Sequence, residues 1–197
     1  MNSICRAVAR RTLLILILAK SAAVSAQSGA VAYTVDSAAT VANWSIPFLG
    51  VTTLQGRFER TIGKVFLDRS NEKGSIEIAI DTASVNAGNR KFEEHLRGKD
   101  FFHVEQFPVM IFKGQISRFD GDSPAEVEGE LTLLGVVRPV TLKIANFRCQ
   151  APTHLSRDVC AAQATTSIDR TQFGMTYGVG FSGRQVDLAI QIEASRD

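Results

Sequence analysis

The chain predicts an all-β protein, an antiparallel up-and-down β-barrel of about eight strands with one short helix. Three observations carry that expectation: apolar and polar residues alternate with period two in segment after segment, the separators are short and carry turn chemistry, and only one stretch has helical spacing. Strands with one wet face and few helices leave a sandwich or a closed barrel. Closure removes exposed edges, and eight strands leave an interior just wide enough for one ligand, so the barrel is favoured.

In chain order, residues 33–36, 40–48 and 53–68 are the first strand candidates. Ile76, Ile78 and Ile80 then share one face while Glu77 and Asp81 take the other, and residues 109–119 follow. Val127, Leu131 and Leu133 oppose Glu126, Glu128 and Glu130, with Gly129 on the apolar side at a point where a strand bends readily. Val140, Leu142 and Ile144 alternate with Thr141 and Lys143, and residues 160–169 form the next candidate. In the last strand Val186, Leu188, Ile190 and Ile192 alternate with Asp187, Gln191 and Glu193. Phe66, Ile111 and Phe147 lie off the simplest alternation.

The separators Ser70-Asn71-Glu72-Lys73-Gly74, Asp120-Gly121-Asp122-Ser123-Pro124 and Gly135-Val136 are turn formers. Short links between neighbouring strands give an up-and-down meander. Within residues 86–103, Phe92, His95 and Leu96 fall at helical spacing, and Lys91, Glu93, Glu94 and Arg97 supply polar faces. A short helix there lies over an end or a side of the barrel.

Arg6, Arg10 and Arg11 precede the apolar run 13–19, and Val24-Ser25-Ala26 stands before Gln27. This layout is that of a secretory signal peptide cleaved after Ala26, and the run is too short for a permanent membrane span. The expected organisation is a removed leader, 1–26, and one domain, 27–197, in the bacterial periplasm without stable membrane insertion. The leader holds Arg6, Arg10, Arg11 and Lys20, four of the 22 basic residues, and none of the 20 acidic ones, leaving 18 against 20. The basic excess belongs to the leader, and scattered Lys and Arg offer no footprint for nucleic acid.

Cys5 departs with the leader, leaving Cys149 and Cys160 as an even pair in an oxidising compartment. A disulfide is expected, closing a loop with His154 and Arg157 and stabilising by roughly 2 to 3 kcal/mol in the chain-entropy picture. His154 and Asp158 are too few for a structural zinc site, so no metal or other cofactor is expected.

Gly178, Gly180 and Gly183 spell G-x-G-x-x-G, but a strand follows rather than the helix a dinucleotide fold requires, so a glycine loop is the better reading. Ser182 lies in Gly180-Phe181-Ser182-Gly183-Arg184, where the second glycine falls one residue too early for a nucleophile elbow. His95 and His103, with Glu94 beside the first, read as satisfied histidines near a helix rather than ligands. Trp44 reads as a structural anchor of the second strand. Phe92, Phe101, Phe102, Phe107, Phe112, Phe173, Tyr177 and Phe181 gather in the helix, its exit and the late loop, which is what lipid tails need.

Four ordered blocks carry a resemblance: Leu49-Gly50 through Gly56-Arg57-Phe58; Glu94-His95-Leu96-Arg97 with Asp100-Phe101-Phe102 and Phe107-Pro108; Gly129-Glu130-Leu131-Thr132 with residues 135–142; and residues 168–175. Together, from about Tyr33 to Ala194, the chain resembles the YceI-like family of periplasmic polyisoprenoid-binding proteins. The resemblance implies a lipocalin-like barrel that encloses a long isoprenoid or similar amphiphilic lipid for transport or storage, with no catalysis. Burial of such a chain gains roughly 25 cal/mol per Å² of apolar surface. Where relatives often have His before the Leu-Gly pair, this chain has Phe48.

The apolar pocket is expected to be lined by Phe58, Phe92, Leu96, Phe101, Phe102, Phe112, Leu142, Phe173 and Tyr177, with no catalytic residue. The alternative is an enzyme acting on an isoprenoid or quinone in the same pocket, dependent on a polar residue such as His95 or Arg97. An outer-membrane barrel is disfavoured because the acids of the Val127 and Val186 strands give a wet exterior. A homodimer is left open.

Overall fold

The computed structural model describes residues 29–151 and 157–197. The expected leader, residues 1–26 with Cys5, and His154 lie outside the described residues. Eleven antiparallel segments form one sheet: β1 (Val31–Val35), β2 (Val41–Phe48), β3 (Thr52–Phe58), β4 (Thr61–Asp68), β5 (Lys73–Asp81), β6 (Val85–Asn86), β7 (Val109–Asp120), β8 (Ser123–Leu133), β9 (Val136–Gln150), β10 (Val159–Asp169) and β11 (Gln185–Arg196). One edge of β11 pairs with both β1 and β2; β4 pairs with β1 and β5, and β3 with β2 and β6. The pairs β1–β2, β3–β4 and β5–β6 are therefore halves of three bent strands, which reduces eleven segments to eight strands of a closed up-and-down barrel.

Each bend has a local cause. Between β1 and β2, Asp36 accepts the Ala38 N–H on its side chain (2.8 Å) and the Thr40 N–H on its carbonyl (2.9 Å), a compact Asx turn. The 53–68 segment, read from sequence as one strand, bends at Glu59 and Arg60, whose N–H groups both donate to Ser84 Oγ. Between β5 and β6 a single 3₁₀ turn, Thr82–Ser84, is capped by the Asp81 side chain accepting from the Ala83 N–H. Interrupting the ladder in this way lets long strands turn around the barrel.

Inward positions are apolar: Ile76, Ile78, Val127, Leu131, Leu133, Val140 and Leu142 are buried. Glu77, Lys113, Glu128, Glu130, Lys143 and Asp187 are exposed on the outer wall, where Lys113 pairs with Glu77 at 2.8 Å. A charged exterior around an apolar interior is the reverse of a lipid-facing barrel. Among the described residues no helix is long and apolar enough to cross a membrane.

Two of the three residues that broke the alternation, Phe66 and Phe147, are also accounted for. Phe66 faces outward beside Ile62 and Lys64. In β9 the register slips opposite Ala161 and Gln163, and Asn146 has φ +53°; this bulge shifts the phase so that Leu142 and Ile144 before it, and Phe147 and Cys149 after it, point inward. At Gly129 a side chain is excluded by close approach, since a Cβ there would collide with the Lys113 carbonyl oxygen.

Connections alternate between the barrel's two ends. One end carries the β4–β5 and β7–β8 turns, tied by the Arg69–Asp122 ion pair, and the Cys149–Cys160 disulfide, which joins register partners on β9 and β10. The other end carries the β2–β3 and β8–β9 turns, the long β10–β11 loop and the segment holding α1 (Arg90–Arg97). Asn89 caps α1 by accepting the Phe92 N–H (3.1 Å), and Arg97 fastens it to the wall by donating to the carbonyls of Ala83 (3.0 Å) and Val85 (2.8 Å).

Candidate functional site

The barrel is filled unequally. Tyr33, Val35, Leu67, Val127 and Ala194 pack the disulfide end, whereas the α1 end encloses a cavity of about 360 Å³ that reaches down to Ile76 and Ile192. That volume lies in the range of small-molecule sites. Inward side chains of the strands form its walls, because period-two alternation puts every second residue on the inner face. Phe92 and Leu96 of α1, with Phe101 and Phe102 just beyond it, form the cover; Phe58 meets Phe102 edge-on at 5.2 Å.

Of the nine residues expected to line the pocket, Phe58, Phe92, Leu96, Phe101, Phe102, Phe112, Leu142 and Tyr177 stand on the wall of this cavity. Phe173 is buried in the core but is not on the wall. Trp44 is on the wall, as is Phe48, whose ring meets Phe181 at 6.0 Å. The wall residues that are also exposed are His95, Tyr177 and Phe181, so the cavity reaches the surface between them. His95, Phe101 and Tyr177 contact one another edge-on at 5.0 to 5.5 Å, and Tyr177 continues to Phe181 at 6.3 Å.

Polar groups on the wall are few, and most are committed to the fold. Arg170 is only 2 % exposed and donates to the carbonyls of Gly183 (2.9 Å), Met175 (3.1 Å) and Tyr177 (2.8 Å) and to Ser182 Oγ (2.9 Å). It thereby gathers the β10–β11 loop around one guanidinium, whose pKa burial lowers from the usual arginine value. Ser182 Oγ in turn donates to the Gly178 carbonyl (3.0 Å), so the G-x-G-x-x-G stretch is part of this loop, followed by β11. Trp44 Nε1 and Thr61 Oγ1 are buried without a hydrogen-bond partner, and both residues border the cavity.

The sequence reading missed the wall positions of Trp44 and Arg170. Tryptophan is equally at home as an anchor, and an arginine in a loop looks exposed until its carbonyl partners are known. Among the described residues no three His, Cys, Asp or Glu side chains gather where they could hold a metal ion. A wider depression of about 1010 Å³ lies on the outer wall, bordered by Asn43, Gln55, Arg57, Thr141 and Lys143. It is larger but open and more polar than the inner cavity, which is therefore the candidate site.

Comparison with known proteins agrees with this architecture. The YceI-like domain matches residues 33–194. A UPF0312 protein of Ectopseudomonas mendocina is 28% identical over 179 residues, covering 89% of this chain and 93% of that one. One from Pseudomonas aeruginosa is 28% identical over 190 residues, covering 95% and 98%. Among solved structures, BcnA of Burkholderia cenocepacia superposes with a TM-score of 0.65 at 20% identity, covering 81% of this chain and 98% of its own. A polyisoprenoid binding domain from Saccharophagus degradans, implicated in plant cell wall breakdown, gives a TM-score of 0.59 at 16% identity, covering 85% and 99%. These structures share the fold, and the match over residues 33–194 establishes that the chain belongs to the YceI-like domain family.

Proposed function

We propose that this protein is exported, loses residues 1–26, and works in the periplasm as a single domain, 27–197, that encloses a long isoprenoid or similar amphiphilic lipid for transport or storage. The observation that carries the reading is the cavity itself: an almost wholly apolar space inside a barrel whose outer wall is charged, with a mouth framed by His95, Tyr177 and Phe181. Each methylene-sized group moved from water into such a space gains roughly 0.8 kcal/mol, so a branched hydrocarbon chain supplies its own binding energy. Phe58, Phe92, Leu96, Phe101, Phe102, Phe112, Leu142 and Tyr177 would touch that chain, with Phe173 supporting them from the core. The polyisoprenoid binding domain of Saccharophagus degradans, built on the same fold, lends the isoprenoid its preference over other lipids.

The test is native mass spectrometry of the protein released from the periplasm, followed by organic extraction and identification of the extract. One isoprenoid per chain, chemically unchanged, is the expected result. Protein that is empty after gentle isolation, and stays empty when offered long-chain lipids, would refute the reading. A cargo that leaves altered would convert it to an enzyme acting in the same pocket.

A further inference from the structure

The cavity reaches the surface between α1 and the β10–β11 loop, that loop packs against the β2–β3 turn, and the central stretch of each of these two loops carries no charge. Residues 45–56, which include the β2–β3 turn, and residues 171–183 of the β10–β11 loop lack Asp, Glu, Lys and Arg altogether. The turns at the opposite end contrast sharply, with Asp68, Arg69, Glu72 and Lys73 in one and Asp120 and Asp122 in another. At the uncharged loops large apolar side chains stand in solvent: Val51 is 88 % exposed, Leu49 62 %, Phe181 47 % and Tyr177 45 %. They are contiguous, because the Leu49 N–H donates to the Phe181 carbonyl (2.7 Å) and Phe181 meets both Phe48 and Tyr177.

Leu49 has φ +53°, a conformation that favours Gly, Asn or Asp, and it points an apolar side chain into water. Leu134 in the β8–β9 turn has the same φ of +53° but is half-buried; Leu49 is set apart by combining that backbone with exposure. A turn selected only for folding would place a small polar residue there. Strain and exposure at one position, beside a cavity mouth, mark a contact the folded chain makes with something else.

We propose that this apolar rim is a docking surface for a lipid bilayer, through which cargo passes between membrane and cavity. The inference rests on the lipid-carrier reading above, and that reading also identifies the occupant. An isoprenoid leaving a bilayer through water would expose its whole chain, at roughly 0.8 kcal/mol per methylene-sized group; a mouth seated among the acyl chains avoids that exposure. Loops without charge enter the interface without desolvating ions. The α1 side of the same end carries Arg90, Lys91, Glu93 and Glu94, so the molecule sits obliquely, with the Leu49 turn and the Phe181 loop lowermost.

The test uses vesicles of phosphatidylethanolamine and phosphatidylglycerol, with the isoprenoid alcohol geranylgeraniol as probe cargo. Leu49 and Val51 do not line the cavity, so Leu49→Asp and Val51→Asp should load geranylgeraniol from detergent as the unaltered protein does. Co-flotation with vesicles, and the rate of geranylgeraniol transfer out of them, should each fall about tenfold or more. Ile62→Asp, an exposed apolar site on the outer wall, should leave both unchanged. The proposal is overturned if the unaltered protein does not float with vesicles, if the rim variants match it, if Ile62→Asp is equally impaired, or if the rim instead pairs two copies of the chain and excludes the bilayer. Failure to load geranylgeraniol from detergent would count against the lipid-carrier reading alone, since flotation still decides the docking.

Discussion

At the scale of single residues, Leu49 and Arg170 show opposite relations between side chain and backbone. Leu49 holds a left-handed conformation at a cost of about 1 kcal/mol for a side chain of its kind. Leu49→Asn should therefore raise the melting temperature by roughly 2 to 4 °C in a calorimetric scan, although it weakens vesicle docking. A fall in melting temperature would mean that the turn is unstrained. Arg170 instead gathers its loop: Arg170→Ala leaves three carbonyls of that loop without their donor. The variant should lose about 3 kcal/mol or more in urea unfolding, and the Phe181 and Ser182 amides should exchange faster with solvent.

Of the four carboxylates held below their ordinary pKa, Glu59, Asp68, Asp169 and Asp197, the two least exposed, Asp68 and Asp169, are expected to weigh most on acid stability. The Asn71 side chain, reinforced by the Asn71 amide and Ser70, holds Asp68 below its ordinary pKa; the Thr171 hydroxyl, with the Thr171 amide and Arg184, does the same for Asp169. Because the folded-state values are the lower ones, this stability is fully present above the ordinary carboxylate pKa and is lost as pH falls through the folded values. The urea midpoint should hold steady from about pH 7 to about pH 5 and fall below about pH 4. Asp68→Asn and Asp169→Asn should flatten that fall, and an unchanged profile in both would assign acid unfolding elsewhere.

Among the elements, the division of labour between barrel ends governs what each can tolerate. The disulfide joins β9 and β10 at the packed end, away from the cavity mouth. Replacing Cys149 and Cys160 by serine should lower unfolding free energy by about 2 to 3 kcal/mol while leaving lipid loading intact. Equal loss of loading would show that the two ends are coupled. The bent strands explain why element boundaries were only partly readable from sequence. Period two located the strands, and the sequence also separated 33–36 from 40–48, where Asp36 closes its own turn; the break at 59–60 was missed because it depends on Ser84 reaching across from the 82–84 turn. The first is local chemistry; the second is visible only once the chain is folded. The same holds for Phe147, whose inward position depends on a bulge at Asn146.

For the whole molecule, the balance between a packed core and an empty chamber is the property that matters. Filling the chamber should abolish cargo without unfolding the barrel, because the disulfide-end core does not depend on it. Ala42 is buried on the cavity wall, and Ala42→Phe should project a ring into the space and lower isoprenoid loading at least tenfold, while far-ultraviolet circular dichroism stays unchanged. Undiminished loading would place the cargo somewhere other than this cavity.

By itself the sequence determined the class of the protein: alternating residues specify strands with one apolar face, short turns make them a meander, and eight such strands close best on themselves. It also marked the aromatic residues that gather at one end and the cysteine pair at the other, since both are features of composition and spacing. Only the tertiary structure decided that the apolar faces leave a chamber at one end instead of meeting throughout. It also brought Arg170 and Trp44 to the wall, and set Leu49, Val51, Tyr177 and Phe181 side by side around the opening. The reason is physical: periodicity is a local property of each strand, whereas a cavity and its mouth are made by side chains far apart in sequence, and their fit follows from the volumes that meet when the sheet closes.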